Sequence, residues 1–116
     1  MERMRRLLAA VSPAAELDSF SHDLLGPLVS LEARQRRDLF RTLELYVACG
    51  GNSVQTAQRL RTHRNTVLYR LERLETLLGV DLRDPQARFV LQLALQARAL
   101  SRRLPPADEE ALAAAG

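Results

Sequence analysis

The stretch "GGNSVQTAQRLRTHRNTVLYRL", residues 50–71, constrains this chain more than any other. Gly50-Gly51 accepts the positive backbone φ that ends a helix, and Asn52 is a natural N-cap for the next one. Gln55, three residues on, offers the second half of a capping box. The helix that follows, Ser53 to Leu60, spans barely two turns, with Val54, Ala57 and Leu60 on one side. So short a helix is unstable alone and must be clamped by its neighbours. After only three residues a second helix starts near Arg64. Two helices joined so tightly form a helix-turn-helix or a plain αα-hairpin, and the unit covers residues 53–74.

The remaining segments are also helical. Leucine, alanine and arginine dominate and favour helices, while β-branched residues are scarce. Aromatics make up 4% and tryptophan is absent, so leucine, valine and alanine must build the core. Leu39, Phe40, Leu43, Tyr46 and Val47 recur at three- and four-residue intervals in a helix from about Glu32 to Ala48. In "HDLLGPLVS", Leu24, Leu25, Leu28 and Val29 form one face, although Gly26-Pro27 must distort it. Asp84-Pro85 pairs an N-cap with proline at the first helical position. Phe89, Val90, Leu93, Ala94, Ala97 and Leu100 then mark an amphipathic face running to about Arg103, where Pro105-Pro106 stops it. The fold class is therefore all-α, a small helical bundle.

The predicted organisation is a short N-terminal helix and linker over residues 1–19, with Pro13 to Ser19 as the linker. A single domain follows over residues 20–103, and residues 104–116 form a flexible tail. At 116 residues the chain holds one compact domain and is too short for two.

The second helix of the pair, about residues 64–78, poses the functional question. Val67, Leu71, Leu74 and Leu78 form one apolar stripe, and Gly79 closes the helix. At about 100° per residue from Val67, Asn65, Tyr69, Glu72 and Arg73 point away from the core. Arg64, Thr66 and Arg70 fall on the flanks, and Thr62 and His63 stand at the exposed start. A helix built only for packing does not lead with so much hydrogen-bonding capacity. In a docked helix-turn-helix, the N-terminal part of the second helix enters the major groove. Arginine reads guanine there, asparagine adenine, and threonine either base or a thymine methyl. A helix N-terminus also favours a phosphate. His63 either caps the helix or touches the nucleic acid, and Arg70 and Arg73 are candidate phosphate clamps.

Charge supports this placement. All 17 basic residues are arginine, whose planar fork grips phosphate and guanine bidentately. A compositional bias of the source genome produces the same replacement of lysine everywhere, so position says more than the total. Between Arg59 and Arg73 there are five arginines and one acid, Glu72. Arg36, Arg37 and Arg41 fit a solvated helix face.

The segment from Thr42 to Leu95, with "LLGPL" at 24–28, "GGN" at 50–52, "HRNTVLYRL" at 63–71 and "DLRDP" at 81–85, resembles the C-terminal DNA-binding domain of PucR-type transcription regulators. This is the purine-catabolism and carbohydrate-diacid regulator group, and the likeness spans most of residues 20–100. The helix-turn-helix portion is also similar to that of the nucleoid protein Fis. The resemblance implies sequence-specific binding of double-stranded DNA and a separate sensory region, which residues 1–19 are too few to supply. It marks Asn52, Arg64, Asn65, Thr66, Tyr69 and Arg70 as contact or contact-supporting positions. With Gln55, His63 and Arg73 from the residue pattern, these form the candidate DNA-binding set. Arg61-Thr62 at the turn departs from the family pattern, which favours a small or apolar pair.

A single domain covers few base pairs, so a homodimer presenting two recognition helices about 34 Å apart is expected. No enzyme is expected, since no nucleophile, phosphate loop or carboxylate pair forms a catalytic constellation. No cofactor or metal is expected either: Cys49 is the single cysteine, and His22 and His63 lack ligand spacing. The apolar run Leu7 to Val11 is too short for a signal or a membrane span, which points to a cytoplasmic location. The alternative is a helical interaction or dimerisation module whose basic face meets an acidic protein.

Overall fold

The computed structural model describes residues 13–103. It comprises helices α1 (Pro13–Val29), α2 (Ala33–Ala48), α3 (Ser53–Leu60), α4 (Arg64–Leu78) and α5 (Pro85–Arg103). No strand occurs among the described residues, and the all-α reading stands. The short N-terminal helix expected ahead of Pro13 and the tail over 104–116 lie outside the described residues.

The expected linker differs. Residues 13–19 are the opening turns of α1, not a connector. Proline is pre-organised for a first helical position, and Glu16 in the first turn complements the helix dipole. Pro27 also stays inside α1, two residues from its end. At that point the amide that proline lacks removes only one of the last helical bonds.

Each boundary has a local cause. At the start of α2, the Glu32 carboxylate accepts from the amides of Arg34 (3.1 Å) and Gln35 (3.4 Å). Those two backbone bonds are the main reason its carboxyl is held below the usual range. The end of α2 is a paired turn: Gly50 N–H donates to Val47 O and Gly51 N–H to Tyr46 O, with Gly50 at φ 64°. Asp84 caps α5 by accepting from the Gln86 amide at 3.0 Å.

The core is one cluster to which all five helices contribute. Leu25, Leu28, Leu43, Val67 and Leu74 are completely enclosed, and each such side chain stabilises the fold by about 1.5–3 kcal/mol. Leu82, in the loop between α4 and α5, is enclosed with them. That loop is held by Arg88, whose Nη1 donates to the carbonyls of Leu82 and Arg83, each at 2.9 Å.

Helix α5 packs mainly on α1 and α2. Its inward face is Leu91, Ala94 and Ala97; Phe89, Leu93 and Leu100, expected inside, are exposed. The apolar residues of α5 cover too wide an arc for one interface, and the smaller alanines take the close approach to α1. The Arg98 guanidinium lies over Phe40, 4.5 Å from the ring centre. Among the described residues no helix is long and apolar enough to cross a membrane.

Candidate nucleic-acid interface

The short helix α3 is clamped as its length requires. Thr56 and Ala57 are buried between α2 and α4, and the Thr56 hydroxyl donates to the Asn52 carbonyl at 2.7 Å. Val54, grouped with Ala57 and Leu60 in the sequence, is instead exposed. Asn52 caps α3 by accepting from the Gln55 amide at 3.0 Å. Its own amide donates to the Cys49 carbonyl at 3.3 Å, so only half of the expected capping box forms. The Gln55 side chain is exposed at the start of the helix.

The turn between α3 and α4 is closed by two crossed bonds. Thr62 N–H donates to Ala57 O at 3.1 Å and Arg61 N–H to Gln58 O at 3.2 Å. This geometry needs a left-handed residue, and Arg61 supplies it at φ 54°, alone in that region among the described residues other than glycine. The unusual Arg61-Thr62 pair thus keeps the tight turn at the expense of backbone strain.

His63 begins α4 as its cap. Its Nδ1 accepts from the Asn65 amide at 3.0 Å, and its carbonyl accepts from the Thr66 and Val67 amides. The ring is therefore committed to the helix start through one nitrogen while remaining exposed.

Along α4 the two faces separate as the 100° projection requires. Val67, Leu71 and Leu74 are buried, whereas Arg64, Asn65, Tyr69, Glu72 and Arg73 are exposed; Tyr69 retains 67% of its surface. Thr66 is half-buried at the flank. Leu68 is an exposed apolar side chain on the same helix, which the residue pattern did not single out. It lines a groove of about 420 Å³ with Tyr46, Gly51 and Ser53. Position 68 follows an inward residue by one step, about 100°, so its exposure was readable from the helix period alone.

Arg70 departs from its expected part. Its guanidinium turns toward α2, with Nη1 donating to the Thr42 hydroxyl (3.4 Å) and Nη2 lying 3.8 Å from the Asp38 carboxylate. Its side chain is only 25% exposed. Arg70 therefore ties α4 to α2. Arg73 remains exposed, and Glu75, one acid within its reach in sequence, instead accepts from the Leu82 amide at 3.2 Å.

The resulting surface is a helix start bearing exposed donors, followed by a mixed basic and aromatic ridge. Residues 39–97 match the family model described as the PucR C-terminal helix-turn-helix domain. The chain is similar to the purine catabolism regulatory protein of Bacillus subtilis, with 40% identity over 95 residues, covering 80% of this chain and 17% of that protein. It is 35% identical over 77 residues to the carbohydrate diacid regulator of Escherichia coli, covering 66% of this chain and 20% of the relative. Likeness to the proline-responsive transcriptional activator PutR of Bacillus subtilis is lower, 27% over 90 residues, covering 78% and 22%. The chain thus spans less than a quarter of the length of each of these three relatives. No solved structure matches.

Proposed function

The chain belongs to the PucR C-terminal helix-turn-helix family of transcription regulators, and from that premise we propose that it reads double-stranded DNA by laying the N-terminal half of α4 in the major groove. One observation carries this reading. Asn65 and Tyr69 stand free on the outer face of a helix whose opposite edge, Val67 to Leu74, is enclosed, and Arg64 is exposed at its start.

Arg64 and Asn65 have the donors that distinguish base edges, and Thr66 and Tyr69 reach from the flank and the ridge. The positive end of the α4 dipole and the exposed ring of His63 face a phosphate, and Arg73 grips another further along the strand. Asn52 and Gln55 place the start of α3 beside the backbone. Arg70 acts one step back, fixing the angle at which α4 leaves the bundle. The work is binding rather than catalysis and takes place in the cytoplasm. A homodimer supplies two such helices to a two-fold operator, and a sensory region of the longer regulator governs them.

Selection from a random duplex pool tests the reading. An enriched inverted repeat is expected, together with binding to random duplex that weakens steeply as salt rises. A chain that ignores duplex DNA in dilute buffer, or binds an acidic protein instead, refutes it.

A further inference from the structure

Five exposed residues of α5 form a continuous stripe: Gln86, Phe89, Leu93, Gln96 and Leu100. Their spacing of three, four, three and four is that of a coiled-coil seam. The apolar members are large and open to solvent, with Phe89 at 59%, Leu93 at 41% and Leu100 at 48% exposure. Phe20 of α1, itself 39% exposed, stands beside them. With Leu93, Gln96, Ala97 and Leu100 it encloses a groove of about 290 Å³. A patch of this kind on a small domain marks an interaction surface.

The order of residues along the stripe identifies the occupant. From Phe89 to Leu100 its spacing of four, three and four reads the same in both directions about a point between Ala94 and Leu95. If two copies of α5 lie antiparallel about that point, Phe89 of each copy meets Leu100 of the other. Leu93 of each then meets the other's Gln96. That is an isologous contact, in which one patch serves both partners. The groove beside Phe20 and Leu100 lies where the opposing Phe89 arrives in this register, so knob and hole are already present on one surface.

The helix dipole selects antiparallel over parallel pairing. Antiparallel helices oppose the two dipoles, while parallel ones stack like ends on like. Because α5 packs mainly on α1 and α2 rather than on α3 and α4, covering the stripe leaves the outer face of α4 free.

We infer that this stripe is a self-association surface on which a second copy of the chain seats α5 against α5 in antiparallel register, Phe89 entering the groove beside Phe20. The inference deepens the homodimer reading above and rests on it only for the use made of the dimer.

Sedimentation of the 116-residue chain without DNA tests it first. The expected result is a reversible dimer. Leu93→Glu, which buries a charge at the seam, should raise its dissociation constant at least about tenfold while far-ultraviolet helicity is kept. Register is tested in a Cys49→Ser background. Chains carrying Phe89→Cys and Leu100→Cys should form a mixed disulfide when combined under mild oxidation, and neither should cross-link alone. A monomer at every concentration, a dimer indifferent to Leu93→Glu, or a Phe89→Cys chain that cross-links to itself overturns the assignment. A chain that binds duplex DNA yet never self-associates sinks this interface alone; one that dimerises but ignores DNA sinks the DNA-binding reading.

Discussion

A β-carbon placed on Gly51 would lie 2.8 Å from the guanidinium carbon of Arg88. The contact joins the start of the helix-turn-helix to the last helix across the middle of the fold. It leaves little freedom on either side. Gly51 has φ 84°, and the Arg88 guanidinium donates to both Leu82 O and Arg83 O.

Gly51→Ala should therefore destabilise the chain by about 1–3 kcal/mol, through the positive φ and through loss of the bonds Arg88 must release to make room. Gly50→Ala shares the positive φ but meets nothing within 4 Å, so its loss should be smaller. Urea midpoints of the two variants check the difference. Equal losses would leave Arg88 without a part in it.

At the turn the direction reverses. Arg61 is held at φ 54°, where an L-residue is disfavoured by roughly 1–2 kcal/mol and glycine is not. Glycine also loosens the unfolded chain by about 0.5–1 kcal/mol, so Arg61→Gly should gain a net of about 0.5 kcal/mol. The check is a raised denaturation midpoint with an unchanged m-value. A lower midpoint would mean that the arginine side chain outweighs the strain.

How far the chain could be read from its residues depended on whether a feature was local. Caps and stops were legible, because Asn52, Gly79 and Asp84-Pro85 act on their own neighbours. The exposed face of α4 was legible too, since helical period and one inward residue determine it. Arg70 was not: only the fold brings Asp38 and Thr42, far back in sequence, beside its guanidinium. The exposure of Phe89, Leu93 and Leu100 was equally hidden, because an apolar arc does not say which part of it a neighbouring helix will cover.

Acid should loosen the start of α2. Accepting two backbone amides keeps the Glu32 carboxyl below its ordinary range, so its contribution is complete above the unfolded-state value and fades as pH falls through the folded one. The Glu32→Gln chain, which resembles the protonated form, should melt below the native chain at neutral pH. The two melting temperatures should converge in acid. A constant gap across the titration would contradict this account of the cap.

Three arginines of α4 divide the remaining question, because the fold treats them differently. Arg64 is exposed at the helix start, and if it reads guanine, Arg64→Ala should weaken operator binding by about 1–3 kcal/mol and affect random duplex much less. Arg73, exposed further along, should act on phosphate alone. Arg73→Ala then lowers affinity for both DNAs alike and flattens the salt slope by about one. Arg70 is committed to Thr42 and Asp38, so Arg70→Ala should leave the salt slope in place and reduce stability by up to about 1 kcal/mol, the range of a partly exposed ion pair. Salt titrations on selected and random duplexes, paired with thermal melts, separate the three. A slope that drops for Arg70→Ala while its melting temperature holds would return that arginine to the phosphate backbone.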